Sequence, residues 1–207
     1  GEDRETTIID GNNSGRVVTI SGSSVLSNFT IQNGLGSTDV RGSGINAEGS
    51  TVLNNLIVKN NTNTQIEGAG LFLHGGSGNY PRLTNSLVIN NTGDGIVVTG
   101  ASPLISNVTI ANNTIAGIFL RPNGSNAGPT VINSIIYGNL DNNQISFPDV
   151  GGQAIEISYS IVQEGQDSIT TFTNDTINWG TGNIDIDPLF ADTASGDYRL
   201  LALSPAI

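Results

Sequence analysis

Five segments of this 207-residue sequence repeat one pattern: VLSNFTIQNG from Val25, VLNNLIVKNN from Val52, RLTNSLVINN from Arg82, LISNVTIANN from Leu104 and TVINSIIYGN from Thr130. EISYSIVQEG, from Glu156, is a weaker sixth. The shared frame is apolar-x-Asn-x-x-apolar-x-Asn-Asn. Its first asparagines are Asn28, Asn55, Asn85, Asn107 and Asn133, with Tyr159 in the sixth, at intervals of 27, 30, 22, 26 and 26 residues. Self-similarity at such a period signals stacked structural units. Within each unit apolar residues alternate at period two, and Gly or Asn interrupts them every few residues. That pattern reads as short strands and excludes a helical repeat. A leucine-rich repeat has a similar length, but its Leu-x-x-Leu-x-Leu frame is absent.

A second element precedes four of these segments. Gly44, Gly70, Gly95 and Gly117 open INAEG, LFLHG, IVVTG and IFLRP. Each unit therefore reads as strand, turn, strand, Asn turn, strand and a variable loop back to glycine. Parallel coils stack their strands about 4.8 Å apart, so inward residues form columns. Two are expected: Leu26, Leu53, Leu83, Ile105, Val131 and Ile157; and Ile31, Val58, Val88, Ile110, Ile136 and Val162. Asparagine tolerates the left-handed conformation of a sharp turn, and stacked carboxamides hydrogen-bond between layers. Asn28, Asn55, Asn85, Asn107 and Asn133 are thus the expected structural ladder. The predicted fold is all-β: a single-stranded right-handed parallel β-helix of about six coils over residues 1–165. A C-terminal tail, 166–207, is expected to pack on it.

This pattern resembles the right-handed parallel β-helix repeat proteins of the pectate-lyase-like superfamily, over roughly residues 6–165. NIDIDPLFADTASGDYRLLALSPAI, residues 183–207, is similar to a segment that ends the β-helix region of large bacterial surface and exported proteins. The resemblance implies a secreted or cell-surface location and raises polysaccharide cleavage as an activity. Inverting hydrolases of that fold carry Asn-Thr-Asp, Asp-Asp and Gly-His-Gly motifs, and none occurs here; the one histidine, His74, sits in Leu-His-Gly-Gly. Inversion needs two carboxyl groups roughly 6.5–9.5 Å apart, and the related lyases need calcium-binding carboxylates with an Arg or Lys base. The coils hold no dense Asp cluster. The leading expectation is a non-catalytic extracellular structural or adhesion module. A polysaccharide lyase or glycoside hydrolase with an atypical site is the alternative.

If Ile45, Leu71, Ile96 and Ile118 point inward, residues one and three places further on point outward. Asn46, Phe72, Val97 and Phe119 then form one column, and Glu48, His74, Thr99 and Arg121 the next. Two exposed aromatics beside Glu, His and Arg suit a sugar chain. Glu48, Phe72, His74, Thr99, Phe119 and Arg121 are therefore the candidate carbohydrate-binding residues. Glu48 and His74 would be neighbours within reach for acid–base work. The expanded loops GGSGNYP and PNGSNAGP are expected to wall this face.

The third strand presents an outward stripe of Thr30, Ile57, Leu87, Thr109, Ile135 and Ile161, with Ile89, Ala111 and Tyr137 beside it. Such a patch marks a contact: either the tail covers it, or another subunit or domain does. The tail aromatics Trp179, Phe190 and Tyr198 are expected to close the C-terminal end. The N-terminal edge lacks a capping helix, and open strand edges invite end-to-end assembly into a filament. Asp185, Asp187, Asp192 and Asp197 could hold calcium, although capping and turn chemistry is the simpler reading; no other cofactor is expected. The net charge of −11 argues against nucleic acid. No apolar run approaches the ~18 residues of a membrane span, so no membrane insertion is expected. There is no cysteine to form a disulfide or thiolate site. The abrupt start at Gly-Glu-Asp suggests a mature or trimmed fragment. Most N-glycosylation sequons fall on ladder positions, leaving Asn123 as the site open to a glycan.

Overall fold

The computed structural model describes residues 1–37, 41–63, 68–76, 78, 80–121, 128–140, 143–147 and 151–207. The short apolar runs become strands of two to five residues, dealt in turn to three parallel sheets. Sheet 1 contains Val18–Ile20, Ile45–Glu48, Leu71–His74, Ile96–Thr99, Ile118–Arg121, Ile145–Ser146 and Ile169–Thr170. Sheet 2 runs from Val25–Ser27 to Thr176–Trp179, and sheet 3 from Ile8–Asp10 to Ile161–Val162. Each sheet is seven strands deep, which makes about six windings from its first strand to its last. The result is a β-helix whose core fills the space between the three sheets.

Both expected columns are in register. Leu26 pairs with Leu53, and the series continues through Leu83, Ile105 and Val131 to Ile157. Ile31, Val58, Val88, Ile110, Ile136 and Val162 stack likewise in sheet 3. From Leu53 and Ile31 onward these side chains have no solvent exposure. Glycine opens the sheet 1 strands because the coils approach too closely for a side chain. A Cβ on Gly70 would stand 2.3 Å from the Gly95 carbonyl oxygen.

The asparagines divide into three structural roles. Asn28, Asn55, Asn85, Asn107 and Asn133, at the corner between sheets 2 and 3, have φ of 50–62°. Asn60, Asn90 and Asn112 repeat that left-handed conformation after sheet 3, with φ of 54–55°. The next residue in each unit, Asn61, Asn91, Asn113 and Asn139, is buried. There the Oδ1 of Asn91 accepts from both the backbone N–H and the Nδ2 of Asn61, each at 3.0 Å. Asn113 serves Asn91, and Asn139 serves Asn113, in the same way. This inner ladder is more complete than the expected outer one. In the outer ladder Asn55 donates to Asn28 at 2.7 Å and Asn107 to Asn85 at 3.4 Å, while Asn85 turns to Asn54. The signal for the inner ladder was the second Asn of each Asn-Asn pair.

The winding continues past residue 165. Ile169–Thr170 pairs with Ile145–Ser146, Thr176–Trp179 extends sheet 2, and Ile184 bridges to Ile161. These strands lack the repeated frame, so the sequence pattern stops before the coils do. Trp179 and Ile177 pack on the core at this end. Phe190 and Tyr198 do not join them. They lie in an antiparallel hairpin, Phe190–Asp192 with Asp197–Leu200, folded back on the outer face of sheet 3. Ile57, Ile89 and Ala111 are buried there with Tyr198, and Leu87 packs beside them. The tail thus covers part of the expected apolar stripe. At its other end the Thr30 hydroxyl donates to the Arg4 carbonyl at 2.6 Å, which brings the N-terminal segment over the same face.

Candidate functional site

The outer face of sheet 1 has the expected register. Asn46 pairs with Phe72, Phe72 with Val97 and Val97 with Phe119; Glu48, His74, Thr99 and Arg121 align in the neighbouring column. Strand spacing sets successive side chains of a column about 4.8 Å apart. Glu48 is exposed, while His74, Thr99, Phe119 and Arg121 are half-buried.

The first column differs from expectation. Phe72 is not exposed: it retains 6% of its surface, and Val97 retains none. The Arg41 guanidinium lies 5.7 Å from the Phe72 ring centre, and the His74 ring is 5.2 Å away, tilted by 44°. A Cβ on Gly42 would stand 2.8 Å from the Phe72 Cβ, so the segment before the Ile45–Glu48 strand lies against the base of this side chain. Arg16 fastens that segment by donating to the carbonyls of Arg41 and Gly42. Phe72 therefore packs beneath the site. Arg16 and Arg41 escaped the sequence reading because they lie outside the repeated frame. Of the loops expected to wall the face, GGSGNYP has two residues, Ser77 and Asn79, outside the described residues, whereas most of PNGSNAGP, Asn123 included, lies outside them.

His74 is the chemically distinctive group. Its Nε2 lies 2.8 Å from the Asn46 Oδ1. A carboxamide oxygen only accepts, so Nε2 carries the proton and the neutral ring keeps its lone pair on Nδ1. Burial pushes the His74 pKa below its ordinary value; Glu48 opposes that shift, and Arg16 adds to it. The face therefore carries a carboxylate, a neutral imidazole, a hydroxyl and a guanidinium on four consecutive strands.

The four tail carboxylates serve separate roles. Asp185 accepts from the Glu164 N–H, Asp187 from Leu189 and Asp192 from Ser195. Asp197 is paired with Arg199, which holds its pKa down to about 2. Among the described residues no three His, Cys, Asp or Glu side chains come together as a metal-ligand group. Nor is any helix there long and apolar enough to cross a membrane.

Three stacked parallel sheets and a buried asparagine ladder define a right-handed parallel β-helix, the architecture of the pectate-lyase-like superfamily. Residues 4–178 match the family model described as right handed beta helix region, and the chain belongs to that family. It matches no curated protein.

Proposed function

We propose that this chain is a non-catalytic extracellular module that contacts carbohydrate through the outer face of sheet 1. The supporting observation is the polar column Glu48, His74, Thr99 and Arg121, in register on four consecutive strands. Its donors and acceptors repeat along a line, as a linear polymer requires, and a rigid solenoid fixes their spacing before any ligand arrives. Such preorganisation lowers the entropic cost of binding. A glycan array tests the reading. The expected result is binding that His74→Ala together with Arg121→Ala weakens about tenfold, with folding intact. Absence of any glycan bound by the unaltered chain, or binding indifferent to both changes, overturns it. Phe72→Ala is not a suitable probe, because the ring is part of the packing.

Cleavage at the same face is the second reading. It draws on the neutral His74 ring, with Nδ1 as its free base, beside Glu48. A reducing-sugar assay decides between the two, and activity surviving His74→Ala removes the catalytic assignment. End-to-end association is a further part of the proposal, tested by solution mass as concentration rises.

A further inference from the structure

On sheet 3, away from the polar column, lies a cleft of about 480 Å³. Its floor is the column Thr109, Ile135 and Ile161, and Pro205 and Ile207 of the tail stand over it. Every side chain lining it is uncharged, although the whole chain carries a net charge of −11. Its rim is the corner between sheets 2 and 3, where Asn107 and Asn133 are followed by Tyr159.

Tyr159 is anomalous. Five preceding coils place asparagine at this corner, and Tyr159 keeps their left-handed backbone, with φ of 50°. Asparagine reaches that region readily, whereas a bulky side chain there is strained. Among the described residues the outer ladder already stops at Asn107, whose Nδ2 donates to Asn85. Among the described residues, the Asn133 carboxamide and the Tyr159 hydroxyl make no hydrogen bond. The ring packs against Gly182, where a Cβ would come within 2.5 Å of it, and yet Tyr159 is 59% exposed. Such strain persists where the surrounding structure enforces it, and it clusters at functional sites. An exposed aromatic ring, a carboxamide without a partner and an uncharged cleft together match one ligand chemistry. A sugar ring stacks its C–H face on the aromatic, and its hydroxyls bond the amide. An uncharged lining offers a uronate carboxylate no ion pair.

We infer that the Tyr159–Asn133 corner and its adjoining cleft form a binding site for an uncharged saccharide. The site does not rest on the proposed sheet 1 face. The test is ¹⁵N-resolved NMR titration with neutral β-1,4-linked gluco- and manno-hexasaccharides, with hexagalacturonate as comparator. The expected result is a neutral sugar that shifts the Asn133 side-chain amide and the Tyr159 backbone amide. Tyr159→Asn should weaken this binding about tenfold and also raise the thermal midpoint, since it relieves backbone strain. Tyr159→Phe should keep most of the affinity. The inference is overturned if neutral sugars leave these signals unmoved, if hexagalacturonate is preferred, or if Tyr159→Asn binds undiminished. His74→Ala with Arg121→Ala should leave the titration unchanged; its loss there would overturn the independence of the two sites.

Discussion

Asparagine has two different values in this fold, and single substitutions should separate them. Asn113→Ala removes the acceptor of the Asn91 N–H and Nδ2, and the donor to the Val88 carbonyl and Asn139. All of these groups are buried, so the cost should be about 3 kcal/mol. Asn107→Ala loses an exposed bond of 3.4 Å and places alanine in a left-handed turn, together costing about 1–2 kcal/mol. Urea unfolding of the two variants checks the order; equal losses would contradict the inner ladder. The repeated frame showed both asparagines, but not which side chain faced inward. His74 tests a different balance. Its folded pKa lies below the unfolded value of 6.5 because burial disfavours the charged ring. The unfolded chain therefore takes up the proton first as pH falls. The contribution of His74 to stability is complete above 6.5 and is lost as pH falls through the folded pKa. His74→Gln should flatten that part of the profile, measured as urea midpoints from pH 7.5 downward.

The coil strands were legible because each residue's role recurs. Leu53, Leu83 and Ile105 occur at matching places in the frame, and stacking makes register follow from spacing. The tail hairpin occurs once, so its docking on the third-strand stripe was legible only as one of two readings, and the residues that hold it there were not. Burial of Phe72 escaped for the same reason, since the segment covering it belongs to the variable loops. The hairpin is held by one residue in particular. Tyr198 is 5% exposed and packs edge-on against Phe190 at 5.1 Å. Its hydroxyl accepts from Asn112 Nδ2 at 2.6 Å and donates to Asn90 Oδ1 at 3.1 Å. The second turn of two coils thus forms the socket for the tail. Tyr198→Phe should cost about 1–2 kcal/mol, because both carboxamides lose a partner, and Tyr198→Ala about 3–5 kcal/mol. Limited proteolysis should cut residues 190–200 first in Tyr198→Ala; unchanged resistance would show that the hairpin is held elsewhere.

A solenoid has no single centre, because each coil contacts only its neighbours. Its stability should therefore vary along the axis. Ile9, Val18 and Leu26 in the first coil are only partly buried, whereas Leu83, Val88, Ile96 and Ile105 further in have no exposure. Amide exchange should be fastest in Val18–Ile20 and Val25–Ser27 and slowest in Arg82–Thr84, Ile96–Thr99 and Leu104–Ser106. The tail hairpin adds a second gradient, around the axis, because it packs on strands of sheet 3. Releasing it with Phe190→Ala and Tyr198→Ala should speed exchange at Ile57–Lys59, Leu87–Ile89 and Thr109–Ala111. Protection of the sheet 1 strands in the same coils should change much less. The two sheets share one core, so a tail that stabilised the coils as a unit would raise exchange in both alike. Confinement of the effect to sheet 3 would mark the tail as a local cover, leaving the polar column on sheet 1 rigid whether or not the hairpin is docked.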